Sequence, residues 1–162
     1  GLSPLLGEGV YGYHAYPDGR RLEWRWESGR MFLGDRPLVE LAERSGGEDL
    51  SAAPVAVLTN EVTTSAGEMV AIAFRGRANT RSFGQATLGR TTAPEGFTLS
   101  DGAILGVSVA YFADRTGQAY TDRVMPDQRI VAHEAPEYRS REVPQVAIDW
   151  LLERPECDAT AP

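Results

Sequence analysis

Residues 54–74 read PVAVLTNEVTTSAGEMVAIAF and carry a change of pattern around which the rest of the chain can be placed. Pro54 to Asn60 is a short apolar run rich in β-branched residues, the pattern of a strand buried on both faces. Ala66 to Phe74 sets Met69, Val70, Ala73 and Phe74 at helical spacing. Glu61 to Ser65 must then make the turn. Ser65-Ala66-Gly67-Glu68 fits the capping box, with Ser65 at the N-cap and Glu68 reaching back to its backbone N–H. A serine at the tip of such a turn has two readings. It is a favoured N-cap in any helix. It is also a place from which a hydroxyl can attack, with free N–H groups and the positive dipole end turned toward a developing oxyanion. The turn alone does not choose between them.

Downstream, Asn79 to Phe83 reads as a second strand, which gives strand–helix–strand and so a right-handed parallel crossover. Gly84 to Glu95, GQATLGRTTAPE, is then a loop at the carboxyl end of that strand, where α/β folds bind ligands. Upstream, Val10 to Tyr16 and Arg20 to Trp26 flank the turn signal Pro17-Asp18-Gly19 and predict a hairpin. Leu22, Trp24 and Trp26 alternate with charged residues, so one face of that ribbon packs. His14 falls in its first strand, either as a half-buried strand residue or as a catalytic base. Ser28 to Ala53 is less regular; the spacing predicts a short helix over Pro37 to Arg44 with Leu38 and Leu41 inward. Phe97 to Ser100 and Ala103 to Phe112 flank Asp101-Gly102, a strong hairpin signal. After a turn at Ala113 to Gly117 come Gln118 to Thr121 and a short strand at Arg129 to His133, where His133 reads as a strand-end residue rather than a base. Glu134 to Glu142 is expected as polar linker, followed by a helix over Val143 to Glu153 with Pro144 in its first turn.

The 162 residues fit one domain with a real core, and 42% apolar with 24% charged residues is ordinary for a soluble protein. A net charge of -7 argues against nucleic acid or an anionic membrane as the main partner. No apolar run reaches the length of a membrane span. The lone Cys157 lies in Pro155 to Pro162, expected as a flexible tail, and with two remote histidines this leaves no disulfide framework and no metal site or cofactor to expect. All sixteen basic residues are arginine. No lysine in this chain can therefore serve as a base.

Five motifs in register resemble the tail-specific, or C-terminal-processing, family of serine peptidases. They are Val55-Ala56-Val57-Leu58-Thr59, Thr64-Ser65-Ala66-Gly67-Glu68, the loop Gly84-Gln85-Ala86-Thr87-Leu88-Gly89-Arg90, Leu99-Ser100-Asp101-Gly102 and Met125-Pro126-Asp127. The match runs from about Leu6 to Trp150. The resemblance implies an α/β fold, a ClpP/crotonase-like core over residues 1–154 lacking the N-terminal strand and Gly-rich loop that supply a second oxyanion donor. It implies peptide-bond hydrolysis on a peptide or protein substrate, with Ser65 as nucleophile and the backbone N–H of Ala66 as one oxyanion donor. It also points to the bacterial cell envelope or secretion, and is compatible with a homo-oligomer.

One departure bears on mechanism. Many members end the loop after the second strand in a lysine that deprotonates the serine; here that position is Arg90. Arginine stays protonated, so Arg90 is not a general base. It is left to bind a substrate carboxylate or to pair with a structural acid. Tricorn-like branches use an upstream histidine and a supporting glutamate instead. Where that glutamate might fall, Tyr120 to Asp122 reads Tyr-Thr-Asp, and Asp122 is not assigned its role. Two functions follow: a serine peptidase acting through Ser65, or a binding module on the same fold that has lost its base, as in retinoid-binding relatives. An esterase of another lineage fits poorly, because Thr63-Thr64-Ser65-Ala66-Gly67 lacks the leading glycine of the Gly-x-Ser-x-Gly elbow.

Overall fold

The computed structural model describes residues 2–40, 48–130 and 136–155. His133 and Cys157, and nearly all of the expected tail, lie outside the described residues. After a short helix α1 (Ser3–Leu6), the chain forms β1 (Gly9–Ala15), β2 (Arg21–Glu27), β3 (Arg30–Leu33) and β4 (Arg36–Glu40). Next come β5 (Val55–Thr59), α2 (Ala66–Ala73) and β6 (Thr80–Gly84). The order closes with β7 (Thr92–Thr98), β8 (Ile104–Asp114), β9 (Ala119–Tyr120), β10 (Gln128–Arg129) and α3 (Pro136–Leu152). The result is a mixed α/β fold in which strand predominates.

Two sheets are built from these strands. The larger is antiparallel, in the order β4-β3-β2-β1-β8-β7 with β9 also on β8. The smaller is parallel, in the order β10-β6-β5, with Val55 opposite Thr80 and Thr59 opposite Gly84. The strand–helix–strand unit anticipated from residues 54–74 is thus present, and β5 and β6 are parallel neighbours as such a crossover requires. Helix α2 packs against β1 and β8 of the larger sheet, and α3 against β5 and β6. Ile72, Ala73 and Phe74 join Trp24, Ala110 and Phe112 in one core, with Val55 and Val57 packed against it. Trp24 and Phe112 meet edge to face at 5.3 Å. On the α3 side, the rings of Phe83 and Trp150 lie 5.6 Å apart.

Three expectations need correction. Residues 36–40 are strand β4, not the start of a helix, and residues 41–47 lie outside the described chain. The Leu38/Leu41 spacing suggested a helix, but two tight turns decide otherwise. Ser28 and Gly29, both at positive φ, join β2 to β3 with Glu27 opposite Arg30, and Gly34 at φ 58° turns β3 into β4. Pro37 is tolerated because β4 is an edge strand. The second correction is that the Gly/Thr/Pro loop is shorter than expected: Thr92 to Glu95 belong to β7, with Pro94 beside a bulge on the sheet's other edge. Finally, α3 starts at Pro136, so the expected linker is partly helix and Pro144 lies inside it. Glu and Arg are good helix formers, so a stretch rich in them is as compatible with helix as with linker.

Two polar side chains fix the small sheet from either side. The buried Arg77 guanidinium donates to the carbonyls of Leu5, Leu50, Ser51, Ala53 and Ala78 and to Thr80 Oγ1, at 2.7–3.2 Å. Asp127 accepts the amide and hydroxyl of Ser82, each at 2.7 Å, and pairs with Arg75. Burial pulls the Asp127 pKa up, but the Ser82 donors and Arg75 outweigh it and hold the carboxyl below its ordinary value. This is the physical role of the Met125-Pro126-Asp127 motif: it staples the chain leading to β10 onto β6.

At the opposite end of β6, Gly84 has φ +117°, and a Cβ there would lie 2.1 Å from the Thr59 carbonyl oxygen. Gly84→Ala is expected to cost about 2–3 kcal/mol, since backbone strain and a clash with immobile backbone act together. Urea unfolding measures it, and a neutral result would contradict the close approach of β5 and β6.

Candidate active site

The site is built at the carboxyl ends of the two parallel strands. Where β5 stops, Asn60 Oδ1 accepts the amides of Val62 and Thr63 at 3.2 and 3.0 Å, and Thr63 Oγ1 accepts the Asn60 N–H at 3.1 Å. This side-chain-made turn reverses the chain over Glu61 to Thr64 and delivers Ser65 to the start of α2. Ser65 adopts φ 50°, ψ -111°, a conformation that costs a non-glycine residue about 1–3 kcal/mol. It is exposed, and so are Ala66 and Gly67 after it. Behind it the Thr64 hydroxyl is enclosed without a hydrogen-bond partner among the described residues.

The backbone N–H groups here are unequally used. Ser65 N–H donates to Glu68 Oε2 at 2.8 Å, Gly67 N–H to the Thr64 carbonyl at 2.9 Å and Met69 N–H to the Ser65 carbonyl at 2.9 Å. The Ala66 N–H has no acceptor among the described residues. An exposed hydroxyl, an unclaimed adjacent N–H and the dipole of α2 make a place where an acyl oxygen can be held while a serine attacks its carbon.

Glu68 does more than close the predicted capping box. It is 0% exposed, the only carboxyl among the fully buried large side chains of the described residues. Oε2 takes the N–H of Ser65 and of Arg90, both at 2.8 Å; Oε1 takes the Thr87 hydroxyl at 2.5 Å and the Gly89 N–H at 2.7 Å. One side chain therefore joins the serine turn to the loop after β6. Thr87, also 0% exposed, passes the link on by accepting the Val124 N–H at 2.9 Å, and Leu88 N–H returns to the Thr63 carbonyl at 2.8 Å. These partners were not read from the sequence. The signal was the pair of motifs TSAGE and GQATLGR, whose meeting point only the fold reveals.

The backbones of Ser65 and Arg90 are thus brought to one and the same carboxylate oxygen, and Ala66 follows Ser65. The Arg90 side chain is exposed and has no ion-pair or hydrogen-bond partner among the described residues. Asp122 lies against Gly89: a Cβ at that glycine would meet Asp122 Oδ1 at 2.9 Å. His14 lies on β1 with its ring 5.5 Å from Trp24 and 5.7 Å from Phe112. Burial pushes its pKa below the ordinary value, with Glu95 pulling weakly the other way. No hydrogen bond among the described residues joins it to the Ser65 turn, which fits a packing residue. Sequence pattern leaves both roles open, and the structure adds the aromatic packing around the ring.

Residues 18–130 match the sequence profile of Peptidase family S41. The chain is 26% identical over 151 residues to the nisin-resistance protein of Lactococcus lactis subsp. lactis, covering 93% of this chain and 43% of that protein. It is 32% identical over 94 residues to a carboxyl-terminal-processing protease of Picosynechococcus sp., covering 53% of this chain and 23% of the relative. Among solved structures, a lipoprotein from Streptococcus agalactiae superposes with a TM-score of 0.68 at 26% identity, covering 93% of this chain and 47% of that one. The photosystem II D1 C-terminal processing protease superposes at 0.60 with 24% identity, covering 88% and 33%, a likeness of fold. The chain spans less than half the length of each of these proteins.

Proposed function

The chain belongs to peptidase family S41, and on that premise we propose that it is the serine-bearing part of a ClpP/crotonase-like core that hydrolyses peptide bonds in the manner of a carboxyl-terminal-processing endopeptidase. Ser65 Oγ attacks a peptide carbonyl, the oxyanion settles on the Ala66 N–H, and the amine leaves to give an acyl-enzyme that water resolves. A donor of this kind contributes about 3–4 kcal/mol to the transition state. The observation that carries the reading is the exposed Ser65 at positive φ, with an unclaimed amide directly after it. The base that receives the serine proton is neither a lysine, since the chain has none, nor Arg90, which stays protonated.

A fluorophosphonate probe tests this in the full-length protein. Labelling is expected at Ser65 alone, mapped by peptide mass; no labelling, or labelling of another serine, sinks the assignment. Arg90 at the loop position where many members carry lysine supports a second reading, a peptide- or lipid-binding module without turnover. That reading expects binding that Ser65→Ala leaves unchanged.

A further inference from the structure

We propose that Arg90 is a specificity residue that anchors a carboxylate of the substrate beside the bond Ser65 cuts; this rests on the peptidase reading above. Its backbone is clamped on three sides. The Arg90 N–H is held by Glu68 Oε2, the same oxygen that holds the Ser65 N–H. Gly89 before it, at φ +96°, is wedged against Asp122 and Arg123. Thr91 after it is 0% exposed, with its hydroxyl on the Tyr120 carbonyl at 2.7 Å. The Arg90 side chain is exposed, and its backbone shares one Glu68 oxygen with the serine turn.

The protein carries 23 acidic residues against 16 arginines, and most arginines near the core are engaged. Arg75 pairs with Asp127, Arg77 is surrounded by carbonyls, and Arg115 donates to the Ala73 carbonyl. Arg90 has no such partner among the described residues. Arg36, Arg123 and Arg129 likewise lack a side-chain partner among the described residues, and what sets Arg90 apart is its tie to the Ser65 turn through Glu68. A planar guanidinium on a rigid backbone is suited to two parallel hydrogen bonds with a carboxylate. The net charge of -7 disfavours acidic ligands at long range, so a local cation would discriminate among peptides only once they are in the site. The carboxylate comes either from the substrate's own C-terminus or from an Asp or Glu side chain flanking the cleaved bond.

The test uses the full-length protein and matched peptides: C-terminal acid against amide, and Glu against Gln at positions flanking the cleavage site. Hydrolysis is followed with the unaltered protein, and binding with Ser65→Ala by calorimetry. The charged member of one pair is expected to be favoured about 10- to 100-fold. Arg90→Gln abolishes the preference and Arg90→Lys restores part of it, while both variants keep the backbone N–H that Glu68 holds. A preference within the acid/amide pair assigns the C-terminal carboxylate, and one within the Glu/Gln pair a side chain. Cleavage with no charge preference, or a preference that survives Arg90→Gln, overturns the anchor and leaves the peptidase standing. No cleavage and no binding of any peptide, or undiminished cleavage by Ser65→Ala, overturns both.

Discussion

Replacing Ser65 with alanine is expected to take peptide hydrolysis by the full-length protein to background, a loss of at least about 10⁴-fold. The fold should barely notice. Ser65 is exposed, so its hydroxyl fills no packed space, and its tie to Glu68 runs through the backbone N–H, which alanine keeps. Losing the N-cap oxygen costs about 1 kcal/mol, equivalent to about 2–4 °C in melting temperature for a chain of this size. Ser65→Gly sharpens the contrast. Glycine accepts φ 50° without strain and loses only a few tenths of a kcal/mol at an N-cap, so this variant should be equally inactive yet as stable as the unaltered protein or more so. Peptide turnover with thermal melts of the three proteins checks both halves. Equal turnover by Ser65→Ala ends the proposal; a collapse of stability would make Ser65 a structural residue.

What was legible from sequence was local. The strand, turn and helix over residues 54–74 announce themselves by a change of period, and the hairpin around Asp101-Gly102 by its turn residues, with Gly102 at φ 86° and Asp101 Oδ1 accepting the Ala103 N–H. What was not legible was long-range. The pairing of β1 with β8 joins residues about a hundred positions apart, and no periodicity encodes which strands become neighbours. Residues 36–40 show the same limit, for the i, i+3 spacing of Leu38 and Leu41 fits a helix and only the turn at Gly34 with pairing to β3 makes the segment a strand. At the site, the capping box exposed one of Glu68's four donors, the one three residues away. The other three lie on a loop beyond β6, and the clue was only that the two motifs recur together in one family.

That nonlocal junction makes Glu68 the residue whose loss should matter most to stability. Glu68→Ala leaves the Ser65, Gly89 and Arg90 amides and the buried Thr87 hydroxyl without their acceptor. Each hydrogen bond to a charged group is worth about 1.5–3 kcal/mol, and the turn and loop can relax to recover part of the loss. A net cost of about 3–5 kcal/mol is expected, roughly a 10 °C drop in melting temperature. Glu68→Gln should cost less but not nothing. Placed at Oε2, the new NH₂ faces two backbone N–H donors; placed at Oε1, it faces only the Gly89 N–H, since the Thr87 hydroxyl can turn to accept. The second orientation wins, at about 1–3 kcal/mol for one opposed donor. Activity separates position from stability. At a temperature where Glu68→Gln remains folded, its kcat should still fall, because the carboxyl that spaces the Ser65 turn from the Arg90 loop has lost one of its bonds. Urea unfolding gives the stability order, and turnover on folded protein gives the rest. A Glu68→Gln protein with unchanged kcat would show that the link serves folding alone.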